Sequence, residues 1–485
     1  MVTVQKRLGE AIVIGRQPTL SILLFVTVLT VLATSVGFNL LRVANEHWYR
    51  SAEVWDQVVL DGILHSQQIR HFSQMGAYTR PSMPSMNAGG AYSAYALFAS
   101  GTTDGDFVQY PSQFGLQVLI FGVLYDWLHL PMTVIIAVNA LLSVSVLSAI
   151  YLALIYEFGA LPGAAGILTF ALSPWIVVFA KSLYWVIWTW LLPVLLALLF
   201  GRQMYRSLPN AVMIGITFYI LFLFKFLCGY DYITTIVLCS AAPIIYYGLK
   251  SARPASVSAG GMAVVGLAAC LAFASGVSLQ ALRIADNFWD GINIVWNDAQ
   301  KRTMAMSGTA QDVAEVSCSY IADVAARQEC KDQIFASLNS SIVGVVAVYM
   351  IFRDFLPWLN GPGYDLDQTT ASALKKAVSQ GNFVQLVSVI ERIDRHEMVS
   401  SLVTVVQSLC GLALLIATTI LMLRDRRRAL PFGGLIYTSF LGAVSWFVLA
   451  KGHSQVHTHL NYIVWYIGFV PFSVLYLVWR HHGVD

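Results

Sequence analysis

The stretch TLSILLFVTVLTVLATSVGFNLL, residues 19–41, contains no charged residue. A helix that spans a bilayer needs about 20 predominantly apolar residues, because the hydrocarbon core is about 30 Å thick and each residue rises about 1.5 Å. The run is longer than the roughly 7–15 apolar residues of a signal peptide, and no small-residue cleavage pattern follows it. We therefore expect residues 19–41 to form a retained first membrane helix.

The composition extends this expectation to the whole chain. Of the 485 residues, 57% are hydrophobic and 11% are charged, whereas a soluble domain carries about 25% charged residues. The net charge of +3 is too small to imply a nucleic-acid partner. The composition thus predicts an integral membrane protein.

Nine further apolar runs have the length of a membrane span or nearly so. They are residues 132–156, 162–180, 184–200, 208–228, 231–248, 257–279, 400–423, 431–450 and 461–479. Two shorter runs, 114–130 and 341–352, are interpreted as helices that lie at the membrane surface or re-enter it. The pattern predicts an all-α polytopic protein with about ten transmembrane helices.

The distribution of basic residues orients these helices. Basic residues concentrate on the cytoplasmic side of membrane proteins, and they occur here before the first helix and at 424–428. Ten crossings place both clusters, and both termini, in the cytoplasm, whereas an eleventh crossing at 114–130 would invert every later helix. We therefore predict a seven-helix module (1–279) that includes an extracytoplasmic loop (43–130), a large extracytoplasmic loop (280–398) and a three-helix module (399–485).

Surface-lying helices are expected in both large outer loops. The second loop contains Cys318 and Cys330, which predict a disulfide if that side of the membrane is oxidising. The turns AKSLYW (180–185) and CGYDY (228–232) fall on the same predicted face.

Three acidic residues after the first helix are candidates for a catalytic base. In residues 44–71, apolar side chains recur at helical spacing, which predicts an amphipathic helix at the membrane surface. Glu46, Asp56 and Asp61 are its candidate bases, because a carboxylate at a low-dielectric boundary can have its pKa raised toward neutrality. The alternative is that they are solvated surface charges. The sequence leaves open which of these three acids is the base. Arg70, in the same segment, is expected to contact an anionic substrate.

A polar and aromatic stretch, GDFVQYPSQFGLQ (105–117), is a candidate binding segment. Its side chains that can hydrogen-bond a hydroxylated ligand are Tyr110, Ser112, Gln113 and Gln117. The alternative is an ordinary loop that ends in a helix cap.

Two lysines and an aspartate lie near the predicted outer ends of helices. Ionisable groups within a spanning region are costly and are usually functional or paired with each other. Lys225 therefore either pairs with Asp231 or contacts a lipid-linked phosphate. Lys181 has a similar position, although it can also extend to the interface without a specific role.

The stretch KGHSQVHTH, residues 451–459, concentrates histidine on the same outer face. Its candidate ligand-binding side chains are Lys451, His453, His457 and His459. Three histidines suit a metal site, but an adjacent ammonium group would repel a metal ion, and no carboxylate lies nearby to support one. Contact with a phosphate or sugar is favoured over a metal site and over a solvated loop.

This layout resembles the GT-C superfamily of membrane glycosyltransferases: seven helices, an outer loop with surface helices, a large loop after helix seven, and a smaller helical module. The family has an acidic residue soon after helix one, often in an Asp-Glu-x-x-Tyr-like context. The corresponding stretch here is NEHWY (45–49), with Asn45 in the aspartate position and Glu46 beside it. The AKSLYW turn lacks the second acid that family members often have, so a divalent metal is possible but not favoured, and no cofactor is expected.

The resemblance implies an inverting transfer of a sugar from a polyprenyl-phosphate donor to a glycan, lipid or protein acceptor in cell-envelope synthesis. A carboxylate would deprotonate the acceptor hydroxyl, and Lys, Arg and His side chains would stabilise the leaving phosphate. The implied location is a bacterial inner membrane, with the active site extracytoplasmic. The alternatives are a transporter or flippase for an envelope intermediate and a non-catalytic assembly scaffold.

Overall fold

A computed structural model describes residues 18–44, 49, 53–79, 94–251, 255–302, 328, 331–332, 413–450 and 460–482. About 80% of these residues are helical. The chain forms two compact units. The first contains Met1–Tyr49, Tyr151–Val177 and Gln300–Asp485, and the second contains Arg50–Ile150 and Val178–Ala299. The candidate catalytic and binding residues that the structure describes all lie in the second unit.

Each unit is built from separate stretches of the chain. In order, they are α1 (Pro18–Leu32, continued by a π turn at Ala33–Gly37), α2 (Glu53–Ile69), β1 (Gly76–Tyr78), α3 (Ala94–Ser100), β2 (Phe107–Gln109), α4 (Leu116–Asp126), α5 (Met132–Phe158), α6 (Ala160–Ala171), α7 (Pro174–Lys181), α8 (Trp188–Met204), α9 (Leu208–Cys228), α10 (Ile233–Lys250), α11 (Ala255–Ile284), α12 (Phe288–Arg302), α13 (described over Ala413–Arg424), α14 (Arg426–Leu449), α15 (Ile463–Tyr466) and α16 (Phe469–His482).

Six of these helical segments are long and apolar enough to cross a membrane, among the residues described. They are α5, α9, α10, α11, α14 from Ala429, and the segment Ile463–His482 formed by α15 and α16. The pair α6 and α7 makes a seventh if it counts as one span bent by 68°. A polytopic helical membrane protein is therefore confirmed. The predicted count of ten stays a prediction, because α1, α8 and the described part of α13 are shorter helices.

Helix α4 agrees with the interpretation that residues 114–130 do not cross the membrane. It has 11 residues and is therefore about 16 Å long, roughly half the thickness of a hydrocarbon core. Gly115 precedes it with a positive φ of 79°, a conformation that glycine adopts without strain.

In the first unit, α6 packs against α1 and α16. The hydroxyl of Ser35, in the π turn that ends α1, donates to the carbonyl of Ala171. Gly166 of α6 lies against the backbone of Pro471 in α16, which lets those two helices approach closely.

In the second unit, α8, α9, α10 and α11 pack in successive pairs, and α2 packs against α3, α4 and β1. Strands β1 and β2 form a two-stranded antiparallel sheet in which Ala77 pairs with Val108. The sequence did not predict this small sheet. It is the one sheet among the described residues.

Helix α2 differs in one respect from the expected surface-lying helix. Its apolar residues Val59 and Ile63 are buried, as expected of one face, but its acids Asp56 and Asp61 are buried as well. The helix is therefore enclosed by protein on more than one side between Asp56 and Leu64. The reading of Asp56 and Asp61 as solvated charges does not match this burial.

The close contact at Gly62 generates a prediction about the position of α2. A Cβ atom there would lie 2.8 Å from the carbonyl oxygen of Gln74 and 2.9 Å from a methyl of Val118. Gly62→Ala should therefore destabilise the protein by about 1–3 kcal/mol through overpacking. Gly260→Ala is the matched control, because no described atom lies within 4 Å of that Cβ position, and alanine is the better helix former. Thermal unfolding of the detergent-purified variants measures both, and equal midpoints would contradict the packing.

Candidate functional site

Asp56 is a buried carboxylate held by three hydrogen bonds from two distant parts of the chain. The side chain is only 1% exposed. The hydroxyl of Ser182 donates to Oδ1 at 2.7 Å, and the backbone N–H of Tyr184 donates to the same oxygen at 3.0 Å. The phenol of Tyr95 donates to Oδ2 at 2.6 Å. Helix α2, helix α3 and the turn after α7 therefore meet at one carboxylate.

Burial decides the acidity of this group. The loss of water disfavours the charged form and raises the pKa of Asp56 from 3.8 to about 6. The hydrogen bonds from Tyr95, Ser182 and Tyr184, together with the nearby charge of Lys181, act in the opposite direction and only partly offset it. A carboxylate with this pKa is ionised at neutral pH and is a stronger base than a solvated aspartate.

The turn that carries Ser182 and Tyr184 is fixed by one amide side chain. Asn139 of α5 is fully buried, and its Nδ2 lies within hydrogen-bond distance of the carbonyls of Ala180, Lys181 and Ser182 at 3.3, 3.2 and 2.9 Å. The indole N–H of Trp188 donates to Oδ1 of Asn139 at 2.9 Å. The last carbonyls of α7 are thereby satisfied at the point where the helix ends.

Gln117 connects this turn to the turn at 228–229, and Gln113 lies beside Gly229. The side-chain amide of Gln117 donates to the carbonyls of Tyr184 and Cys228 at 3.0 and 2.7 Å. Oε1 of Gln113 lies so close to Gly229 that a Cβ there would come within 2.2 Å of it. Nε2 of Gln113 and Oε1 of Gln117 are buried and have no hydrogen-bond partner in the part of the chain that the structure describes. Unsatisfied buried polar atoms are rare in proteins and often contact a water or a ligand.

Lys225 and Asp231 lie on either side of the same turn, and both are buried. The ammonium group of Lys225 donates to the carbonyl of Gly229 and lies 5.4 Å from the ring centroid of Trp190. It also interacts electrostatically with Asp231. These contacts fit the interpretation of a compensated charge pair, and contact of Lys225 with a phosphate stays a prediction.

A cluster of aromatic rings extends from Trp185, the residue after Tyr184, to Trp190, whose ring Lys225 faces. The ring of Trp185 makes edge contacts with Trp55 and Trp190 at centroid distances of 5.7 and 6.0 Å, and Trp190 contacts Tyr232 at 5.0 Å. The indole N–H groups of Trp185 and Trp190 are buried without a partner among the described residues. Aromatic faces next to amide and carboxylate groups suit a ligand that has both apolar and hydroxylated surfaces.

The other predicted residues of this unit lie in two different settings. Tyr110 is half-buried, and its hydroxyl lies 3.5 Å from that of Tyr184, with Ser112 in the same loop. Asp61 instead accepts hydrogen bonds from Gln57 and from the backbone N–H of Tyr78, at 3.3 and 3.2 Å, so its carboxylate connects α2 to β1.

Arg70 is separated from Asp56 by the length of α2. It is exposed and follows the last residue of the helix, about 20 Å along the axis from Asp56 at about 1.5 Å per residue. The structure therefore does not bring Arg70 to the Asp56 carboxylate, and its contact with substrate stays a prediction.

Several predicted residues lie outside the part of the chain that the structure describes. They are Glu46, Lys451, His453, His457, His459, Cys318 and Cys330. Among the described residues, no group of three or more His, Cys, Asp or Glu side chains is arranged to hold a metal ion.

Tyr95, Ser182, Tyr184 and Asn139 are contacts of the site that sequence reasoning did not identify. Tyr95 and Ser182 are 39 and 126 residues from Asp56 in the chain, so no local spacing connects them. Asn139 carried a usable signal, because it is an isolated amide in an otherwise apolar run. Such a side chain costs free energy in a membrane helix unless it has a partner.

Comparisons of the chain with protein-family models, with curated proteins and with solved structures found no match. The chemistry of the site therefore has to be argued from its own residues. They comprise one basic carboxylate, adjacent cations, unsatisfied amide and indole groups, and aromatic faces. Such a set can bind a hydroxylated molecule and remove a proton from it.

The raised pKa of Asp56 predicts a specific dependence of stability on pH. The folded state favours the protonated form of Asp56. The contribution of this group to folding stability is therefore fully present below the ordinary pKa of 3.8 and is lost as the pH rises through about 6. At pH 7.5 the charged group costs about 3 kcal/mol. Asp56→Asn, which is neutral, should therefore unfold at a higher temperature than the wild type at pH 7.5.

The difference in unfolding midpoint between Asp56→Asn and the wild type should shrink as the pH is lowered toward about 4.5. Thermal unfolding of purified protein over this range measures it. Asp104→Asn is the matched control, because Asp104 is exposed, and it should follow the wild type. A difference for Asp56→Asn that does not change with pH would contradict the assigned burial cost.

Proposed function

We propose that the chain is a membrane glycosyltransferase of the GT-C type, with Asp56 as its general base. It transfers a sugar from a polyprenyl-phosphate donor to an acceptor hydroxyl on the extracytoplasmic side of a bacterial inner membrane, without a metal cofactor. The observation that carries the proposal is the buried Asp56 carboxylate, with a pKa raised to about 6, on the helix that follows the first apolar helix. A general base works best when its pKa lies near the working pH.

Among the candidate bases that the structure describes, the contacts favour Asp56 over Asp61. Asp56 is surrounded by hydroxyl, lysine and aromatic groups that suit a substrate. The contacts of Asp61 connect α2 to the small sheet. We therefore assign Asp61 a structural role, and Glu46 stays a candidate.

Cations near Asp56 support the departure of a phosphate. Lys181 is buried and interacts electrostatically with Asp56, and Lys225 lies at the neighbouring turn, which Gln117 connects to Tyr184. An ammonium in a low-dielectric setting stabilises the charge that develops on a leaving phosphate. Lys451, His453, His457 and His459 are proposed to add to this positive face.

A transporter or flippase for a lipid-linked sugar is the second candidate function. Buried ionisable groups within membrane helices often mark transport pathways, and Lys225 and Asp231 are such groups. This function requires movement of the lipid headgroup without cleavage of its glycosidic bond, which distinguishes the two proposals experimentally.

The test uses the full chain in proteoliposomes that contain polyprenyl-phosphate hexoses and pentoses labelled in the sugar. The transferase proposal predicts movement of label from lipid to an added envelope fraction, with release of polyprenyl phosphate. Asp56→Asn should reduce this transfer about 100-fold or more, because a neutral amide cannot accept the proton. Asp104→Asn, the same change at an exposed position, should retain wild-type transfer.

The pH dependence of transfer provides a second measure. The rate should rise with pH and level off above about 6, because the base must be ionised. Full transfer by Asp56→Asn would refute Asp56 as the base. Translocation of intact donor with no transfer by the wild type would instead favour the flippase.

A further inference from the structure

We propose that Oδ2 of Asp56 is the atom that receives the proton, that Tyr95 aims this oxygen, and that Ser182 and the Tyr184 backbone only hold Oδ1. The proposal deepens the proposed function and rests on it. It assigns different roles to the two hydroxyl groups that contact one carboxylate. Tyr95 and Ser182 are positioning residues.

The hydrogen bonds distribute unequally over the two carboxylate oxygens. A carboxylate has about four lone-pair sites, two on each oxygen. Oδ1 accepts from the Ser182 hydroxyl and from the Tyr184 N–H, so both of its sites are used. Among the residues that the structure describes, Oδ2 accepts only from Tyr95, and we assign its second lone-pair site to a substrate hydroxyl.

The direction of the Ser182 bond is fixed by its surroundings. The backbone N–H groups of Tyr184 and Trp185 both approach Oγ of Ser182, at 3.2 and 3.4 Å. The Tyr184 N–H is shared between this oxygen and Oδ1 of Asp56. Because both approaching groups are donors, the hydroxyl hydrogen points to the carboxylate, the acceptor at 2.7 Å. Ser182 therefore acts as a donor to Oδ1.

The Tyr95 bond has a different character. At 2.6 Å it has the length of a charge-assisted O–H···O⁻ contact. Tyr95 lies on α3, which packs directly against α2, so the bond orients Oδ2 relative to the helix that carries it. A substrate hydroxyl at the second lone-pair site of Oδ2 would lie beside the Tyr95 phenol.

The proposed step balances as follows. The acceptor O–H proton passes to Oδ2 of Asp56, and the acceptor oxygen forms a bond to the anomeric carbon. The bond between that carbon and the phosphate oxygen breaks, and its electron pair leaves with the polyprenyl phosphate. The negative charge lost by Asp56 reappears on the leaving phosphate, and the proton on Asp56 returns to water after the product departs.

Two variants distinguish the roles of the two oxygens. Tyr95→Phe and Ser182→Ala each remove a donor to the ionised carboxylate, so each should raise the pKa of Asp56 by about one unit. The charged and titratable groups facing Asp56, Lys181 and Tyr184, stay in place in both variants. Tyr95→Phe should also lower the transfer rate at high pH by about 10-fold or more, whereas Ser182→Ala should approach the wild-type rate there.

Matched controls are available for both changes. Tyr219→Phe removes a phenol that contacts Ser275 at 3.1 Å, and Ser240→Ala removes a buried hydroxyl that donates to a backbone carbonyl of its own helix. Neither group contacts Asp56. Both control variants should keep the wild-type pH profile.

The pKa of Asp56 is measured independently of transfer by infrared spectroscopy. The C=O band of the protonated carboxyl is assigned by its loss in Asp56→Asn and followed over pH. If neither variant moves this titration, the hydrogen-bond assignment is overturned even if transfer is observed. If the titrations move but the wild type transfers no sugar, the assignment of the bonds stands and the proposed function fails. A larger loss of the high-pH rate in Ser182→Ala than in Tyr95→Phe would make Oδ1 the reacting atom.

Discussion

Removal of the Asp56 carboxylate from water is the constraint on which the second unit depends. An ionised carboxylate in a low-dielectric interior is tolerated only when donors replace its hydration. Here Tyr95, Ser182 and the Tyr184 backbone provide three donors, and these come from segments far apart in the chain. The packing of α2 and α3 and the position of the turn after α7 are therefore parts of a single electrostatic arrangement.

Asn139 extends that arrangement into the membrane helix α5. Its amide reaches the carbonyls of residues 180–182 and accepts from Trp188, so it connects the end of α7 to the start of α8. In the same turn, the carbonyl of Tyr184 accepts a hydrogen bond from Gln117, which also donates to the carbonyl of Cys228. A change at Asn139 therefore acts on Asp56 through the turn, without any direct contact between them.

The helices were easier to predict from the sequence than the site. A helix depends on neighbouring residues, whereas the site depends on contacts between residues far apart in the chain. Apolar length is a local property, and the runs at 132–156, 208–228 and 257–279 became helices α5, α9 and α11. The choice between Asp56 and Asp61 was open because both lie on one helix and differ only in their distant neighbours. The sheet of β1 and β2 was missed because each strand has only three residues, too few for an alternating pattern.

Helix α7 ends at Lys181, directly before the turn that holds Asp56. The carboxyl end of a helix carries a partial negative charge from its aligned peptide dipoles. This partial negative charge disfavours an ionised Asp56 nearby, whereas the positive charge of Lys181 in the last turn favours it. The electrostatic potential at Asp56 thus depends on the orientation of a short helix as well as on burial, and a tilt of α7 would alter how firmly the carboxylate holds a proton.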